Sequence, residues 1–193
     1  MGPSLRDDQF VLRRATLEGL PAPGVPEGYA LRPFRPGDET DWQALYEAAF
    51  PDIPDRVRDK VAHLMAEDVW DPQRVRFACQ ADRPVACALA WEPRWDVPGA
   101  GILHWVAVHP AHRRRRLGRA VVLDALRWMH QTGRRAAVLT TEVHRVAAVR
   151  LYLSLGFKPD FAAAPDMDRR WATAREHLGR AERSYPPTPL QTE

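Results

Sequence analysis

Two stretches of this 193-residue chain carry side chains whose types and spacing can do chemistry. The first is Leu103 to Met129, LHWVAVHPAHRRRRLGRAVVLDALRWM. An apolar, β-branched run stops at His109-Pro110, passes through Arg113, Arg114, Arg115 and Arg116, and enters an amphipathic pattern after Leu117-Gly118. That is a strand, a basic loop and a helix start in direct succession. The first N–H groups of a helix have no partner within it, and the helix dipole adds partial positive charge there. A phosphate is the natural occupant, and guanidinium donors match its oxygens in charge and geometry. Neither G-x-x-x-x-G-K-[ST] nor G-x-G-x-x-G is present, which sets aside the nucleotide-triphosphate and dinucleotide loops. The second stretch is Glu142 to Phe157, EVHRVAAVRLYLSLGF. Val146, Val149 and Leu153 fall at helical spacing, Gly156 closes the helix, and Arg145, Ala148 and Tyr152 share one face of it.

Taken together, these stretches resemble the GNAT superfamily of acetyl-CoA-dependent N-acyltransferases. Val108 and Pro110 match its V-x-P; Arg113 and Gly118 match the ends of its [RQ]-x-x-G-x-[GA]. Arg116 stands at the middle glycine, where it either loosens the turn or adds a phosphate contact. Ala148, Leu151, Tyr152, Gly156 and Phe157 match N-x-x-A-x-x-L-Y-x-x-x-G-F, with Arg145 at the asparagine position. The resemblance covers roughly residues 29–157.

The resemblance implies that acetyl-CoA is the cosubstrate. It places the pantetheine arm along Val106, Ala107 and Val108. The phosphates fall on Arg113, Arg114, Arg115, Arg116, Leu117, Gly118 and Arg119, and Arg145 and Ala148 complete the cofactor face. Tyr152 points at the sulfur and either donates a proton to the departing thiolate or hydrogen-bonds to the sulfur; the alternative is a helix tyrosine packed for area with its hydroxyl in water. Aminolysis of a thioester also needs a neutral amine and a stabilised oxyanion. Arylalkylamine N-acetyltransferases carry a histidine where His104 stands, acting through water as the base, and histidine's ordinary pKa suits that task. Strand alternation puts His104 on the same face as Val106 and Val108; the alternative is a strand histidine satisfied by a carbonyl or by solvent. Glu142 is the other candidate base or a carboxylate that recognises the acceptor, and Glu92 is a third. Asp68 and Asp71 read as helix-end and turn residues. No metal-ligand spacing appears, since His109, His112 and His144 have no cysteine or carboxylate partners in register.

The surrounding pattern must position these groups. Residues 1–28 read as an arm or linker, with a short helix around Asp8 to Leu17 and a proline- and glycine-rich end. A first strand spans Tyr29 to Phe34, and Asp38 or Thr40 caps a helix running to Phe50. A second helix spans Pro54 to Glu67. Val75 to Cys79 and Val85 to Trp91 form a β-hairpin through Ala81-Asp82-Arg83-Pro84. Leu103 to Val108 is the fourth strand, antiparallel to its predecessor. Its helix ends at Thr132-Gly133, and Ala136 to Thr141 is the fifth strand. A helical crossover between neighbouring strands makes that pair parallel. The expected fold is therefore α/β (α+β): a single mixed, mostly antiparallel sheet of six to seven strands with helices on both faces, splayed between strands 4 and 5. In the resembling family the segment between the first two strands walls the acceptor pocket. That makes Trp42, Tyr46, Phe50 and Met65 candidate acceptor residues, with core packing as the alternative. The acyltransferase domain is expected over residues 29–160. Residues 161–193 are expected to hold a terminal helix, around Asp168 to Arg183, and a flexible tail from Ser184.

Composition bounds the remainder. The chain is long enough for one well-buried core. A formal charge of +3 with a pI near 9.2 means that the basic character is clustered. Every basic residue except Lys60 and Lys158 is arginine. Cys79 and Cys87 are too few for a disulfide framework, which points to a reducing, cytoplasmic setting. No apolar stretch approaches the roughly 20 residues that span a bilayer. The leading reading is acetyl transfer from acetyl-CoA to a primary amine on a small molecule, protein or peptide, with a homodimer left open. A non-catalytic coenzyme-A-binding regulatory module is the second reading. Nucleic-acid binding ranks below both, because the arginine run lacks interleaved aromatic residues for stacking.

Overall fold

A computed structural model describes residues 3–92, 95 and 97–184. Its strands are β1 (Gln9–Arg14), β2 (Tyr29–Pro33), β3 (Val75–Gln80), β4 (Arg83–Trp91), β5 (Ala100–Val108), β6 (Ala136–Glu142) and β7 (Lys158–Pro159). Its α-helices are α1 (Glu39–Ala49), α2 (Pro54–Val57), α3 (Lys60–Met65), α4 (Leu117–Gln131), α5 (Val146–Ser154) and α6 (Met167–Ser184). The chain divides into two compact units, Ala15–Val138 and Met1–Arg14 with Leu139–Glu193.

In the larger unit the strand order is β2-β3-β4-β5-β6. The first three pairs are antiparallel, and β5 runs parallel to β6 through Ala100↔Ala136, Gly101↔Ala137 and Ile102↔Val138. Among the described residues Ile102↔Val138 is the last pair of that register, and Leu103, His104, Ala107 and Val108 pair with β4. Side chains alternate along β4. Cys87, Leu89 and Trp91 join the core with Trp42 and Tyr46 of α1, while Ala86, Ala88 and Ala90 present small methyl groups to the other face, where α4 packs closely. Gly101 lies against Met129 of α4, and a Cβ there would come within 3.0 Å of its sulfur. Helices therefore cover both faces of this unit.

In the smaller unit β6 continues next to β1, and β1 pairs with β7 antiparallel through Leu12↔Pro159 and Arg13↔Lys158. Across both units the strands make a seven-stranded, mixed and mostly antiparallel set, as expected. Strand β1 corrects the helix expected over Asp8 to Leu17. Phe10, Val11 and Leu12 are all fully buried, and three consecutive buried residues suit a strand covered on both faces better than a one-sided helix. Phe10 meets Trp171 of α6 at 5.9 Å between ring centroids. Because β1 precedes the first expected strand, the expected strands 4 and 5 are β5 and β6. The expected terminal helix is α6; the tail expected from Ser184 falls outside the described residues except for Ser184 itself, which ends α6.

Two further expectations are corrected in the larger unit. The single helix over Pro54 to Glu67 is two short ones, α2 and α3, broken at Asp59 with φ 52°. Gln43 of α1 fills the break: its amide nitrogen donates to the Val57 carbonyl at 2.8 Å and its amide oxygen accepts from the Val61 N–H at 3.1 Å. Backbone groups that a continuous helix would pair are thus satisfied by one side chain. Asp38 precedes α1 but does not cap it through its side chain. Its carboxylate instead takes two bonds from Arg32, at 2.7 and 2.8 Å, and one from the Arg35 N–H at 2.7 Å.

Candidate functional site

The anion loop lies wholly in the larger unit. After β5 the His109 N–H donates to the Val85 carbonyl at 2.9 Å, and Pro110–His112 makes one turn of 3-10 helix. Arg114 and Arg116 then adopt left-handed backbone, φ 62° and 60°, the conformation that glycine takes without a Cβ penalty. Arg116 therefore keeps the turn expected of the glycine it replaces. Helix α4 starts at Leu117, and its first internal bond runs from the Ala120 N–H to the Arg116 carbonyl at 3.1 Å. Among the described residues, the amides of Arg114 to Arg119 donate to no protein acceptor. Arg113 to Arg116 are exposed, Gly118 and Arg119 half-buried, and the Leu117 side chain buried, so Leu117 can offer only its N–H. Free amides at a helix start, ringed by guanidinium groups, fit the pyrophosphate of a coenzyme A.

The four arginines divide into two pairs. Arg113 donates to the Ala49 carbonyl at 3.3 Å and to the Val108 carbonyl at 3.4 Å. Arg115 donates to the Tyr29 hydroxyl at 3.1 Å, and that oxygen lies 2.9 Å from Nδ1 of His112. Burial, with the charges of His109 and Arg115, lowers the His112 pKa and so favours its neutral ring. Arg114 and Arg116 carry no side-chain partner among the described residues. Nothing in the periodicity pointed to Tyr29 or His112, since their contact joins residues 83 apart in sequence.

Strand β5 departs from simple alternation. His104 pairs with Leu89 and Ala107 with Cys87, so three steps on β5 match two on β4. The extra residue is a β-bulge, and Trp105 within it has φ 43°. His104 therefore shares a face with Ala107, Cys87 and Leu89, the face of α1, while Val108, opposite Ala86, looks the other way. The expectation that His104, Val106 and Val108 share a face is corrected by that one-residue shift. Val106 and Val108 are half-buried and Ala107 is buried.

Of the candidate acceptor residues, Trp42 and Tyr46 are 0% exposed. They pack in the core, as the alternative had it. Phe50 and Met65 lie at its margin, partly buried. Beside them the Trp105 ring meets Tyr46 and Phe50 edge-on, each at 5.3 Å, and the Lys60 ammonium sits 4.7 Å from its centroid. Glu92, also in this unit, accepts from Arg74 and Arg134 at 2.6 Å each. Burial alone would raise its pKa, but those two guanidiniums hold it below the ordinary value, which makes it a poor base.

In the smaller unit, Glu142 at the end of β6 binds Arg6 at 2.7 Å and Arg145 at 3.0 Å. Burial would raise its pKa; the Arg6 hydrogen bond and the Arg145 charge outweigh that and lower it. Glu142 and Arg145, both expected at the site, are thus paired with each other. Ala148 is half-buried on α5. Tyr152, 7% exposed, packs edge-on to Phe157 at 5.9 Å. Burial, and secondarily the Glu142 charge, push its phenol well above the ordinary value. It therefore stays protonated at neutral pH and can act as a donor.

A model of the Acetyltransferase (GNAT) family matches residues 41–157. The chain is 36% identical to a mycothiol acetyltransferase of Pseudarthrobacter chlorophenolicus over 76% of its own length and 48% of the relative's. A mycothiol acetyltransferase of Thermobispora bispora is also 36% identical, over 76% and 52%. The chain thus spans about half the length of these curated relatives. Among solved structures, the GCN5-related N-acetyltransferase from Sphaerobacter thermophilus superposes with a TM-score of 0.64 at 27% identity, covering 79% of this chain and 48% of that one.

Proposed function

The chain belongs to the Acetyltransferase (GNAT) family, and from that premise we propose that it transfers an acetyl group from acetyl-CoA to a primary amine. The observation that carries the proposal is the run of free amides from Arg114 to Arg119 directly after β5. Acetyl-CoA, when bound, supplies an activated acyl group and a thiolate leaving group. The Arg114 and Arg116 guanidiniums and the α4 amides hold its phosphates. Val106 to Val108 offer backbone groups beyond the last pair of β5 with β6 among the described residues. His104 accepts the proton of the incoming ammonium, and Tyr152 supplies one to the thiolate. Phe50 and Met65 flank the acceptor.

Titration calorimetry with acetyl-CoA tests the binding half of this reading. Thiol release across an amine panel tests the chemical half; the panel includes the acceptor that the relatives' name indicates. Saturable binding with amine-dependent thiol release is expected. Absence of acetyl-CoA binding overturns the proposal. One observation favours a second reading, a non-catalytic coenzyme-A-binding module: the ion pairs of Glu142 and Glu92 take both carboxylates out of the role of base. That reading requires acetyl-CoA binding without thiol release from it in the presence of any amine.

A further inference from the structure

The core beneath the Trp105 bulge holds polar atoms that packing does not need. Tyr46 and Trp42 are fully buried, yet Tyr46 Oη and Trp42 Nε1 make no hydrogen bond of proper geometry among the described residues. Cys87, equally buried, directs its thiol at the Trp105 carbonyl oxygen 3.5 Å away. These groups lie close together: burial pushes the Cys87 thiol up to about 12, with Tyr46 and Trp42 near enough to pull it back in part. An unsatisfied buried polar atom costs about 1–3 kcal/mol, so phenylalanine would serve plain packing better at position 46.

The polar node sits where β5 carries its extra residue. The register shift falls between Cys87 and Leu89 on β4, opposite Trp105 and Val106. Trp105 holds a left-handed backbone that a bulky residue adopts only under constraint. The constraints are visible: the Cys87 thiol on its carbonyl, and the Tyr46 ring edge-on to its indole at 5.3 Å. On the far side of the bulge, Val106 to Val108 are the backbone groups that the proposed function assigns to the pantetheine arm.

We infer that Cys87 and Tyr46 are positioning residues for acetyl transfer, fixing the Trp105 bulge and through it the alignment of the thioester along β5. Neither touches the reacting atoms. The inference rests on the proposed function, since it presumes a thioester on β5. Misplacing a bound reactant by about 1 Å can cost on the order of 100-fold in rate without abolishing binding.

The test compares Tyr46→Leu, Tyr46→Phe, Cys87→Ala and Cys87→Ser with the wild-type chain, reading kcat, the KM for acetyl-CoA and the thermal midpoint. Tyr46→Phe removes an orphaned hydroxyl and keeps the ring against Trp105, so its midpoint is expected to hold or rise with kcat near wild type, whereas Tyr46→Leu, which removes the ring, lowers kcat by about tenfold or more with KM within about twofold. Cys87→Ala behaves alike in kcat, and Cys87→Ser, which keeps a donor for the Trp105 carbonyl, recovers most of the loss. Wild-type kcat in both Tyr46→Leu and Cys87→Ala overturns the inference. So does a kcat loss that only tracks a lowered midpoint, or no recovery in Cys87→Ser folded as wild type. If the wild-type chain itself fails to bind acetyl-CoA, the proposed function has failed and this inference falls with it; binding and turnover with indifferent variants sinks this inference alone.

Discussion

Arg113 closes helix α1: its guanidinium lies 3.3 Å from the carbonyl of Ala49, the last residue of that helix. The first arginine of the run therefore works as a C-terminal cap, consistent with a cation beside the negative end of a helix dipole. Arg114, next along, has no such partner among the described residues. The two should separate in mutagenesis. Arg113→Ala is expected to lower stability by about 1 kcal/mol. Arg114→Ala should stay within about 0.5 kcal/mol of wild type but weaken acetyl-CoA binding. Denaturant melts paired with calorimetry at two salt concentrations would decide it, and equal stability losses in the two variants would sink the division.

Arg116 tests the same loop in the other direction. At φ 60° its side chain costs about 1 kcal/mol relative to glycine. Arg116→Gly should therefore hold or raise the thermal midpoint while removing one guanidinium from the phosphate site. The expected result is a stability equal to or above wild type with a reduced salt dependence of acetyl-CoA affinity. A marked drop in stability would show that the arginine is held by contacts absent from this structure.

How much of this was legible beforehand depended on whether a feature was local. The anion loop followed from strand, arginines and helix start in one unbroken stretch, because each signal acts within a few residues. The hairpin and the β5–α4–β6 crossover followed for the same reason. Strand β1 did not: Phe10, Val11 and Leu12 take their conformation from burial between β6 and β7 and from α6, all distant in sequence. The Trp105 bulge was equally hidden. LHWVAV alternates well enough as a plain strand, and only the pairing with β4 reveals the extra residue that turns His104. The pairing of Glu142 was hidden too, because its partner Arg6 stands 136 residues away.

The buried pair of Arg32 and Asp38 supplies a stability prediction independent of function. Arg32 also donates to Asp82 Oδ1 at 2.9 Å and to the Asp82 carbonyl at 2.7 Å, so it ties β2, the start of α1 and the β3–β4 turn together. Asp38→Ala would take two hydrogen bonds from a guanidinium whose side chain is only 8% exposed and leave it the Asp82 contacts, at an expected cost toward the lower end of about 3–5 kcal/mol. Replacing Arg83, whose bond to Asp41 is fully at the surface, should cost far less. Chemical denaturation of the two variants compares them directly, and similar losses would contradict the burial argument.

Glu142 carries the pH dependence. Its folded-state pKa is lowered from the ordinary 4.5, so the unfolded chain binds the proton first as pH falls. Its contribution is complete above that ordinary value and is lost as pH drops through the folded pKa. Glu142→Gln should therefore lose stability at pH 7 and converge with wild type in acid, where both lack the charge. The neutral limb of its rate profile should remain that of wild type, since a paired carboxylate with a lowered pKa is no base near pH 7. Loss of that limb in Glu142→Gln would reinstate the residue as the base and displace His104.

Tyr152 is the remaining member of the proposed chemistry. Its hydroxyl stays protonated across the neutral range because burial opposes the phenolate, with Glu142 adding to that effect and Arg145 reducing it. A group so disposed can donate to a thiolate but cannot serve as a base, so its removal should slow the step in which sulfur departs. Tyr152→Phe keeps the ring against Phe157 and is expected to fold normally. Its kcat should fall by about 100-fold, within the usual range for a positioned acid, while the KM for acetyl-CoA changes little. Substrates whose thiol is intrinsically more acidic need less help from a donor, and with them the deficit should shrink. A deficit of the same size for acidic and ordinary thiols would mean that Tyr152 shapes the site without giving up a proton.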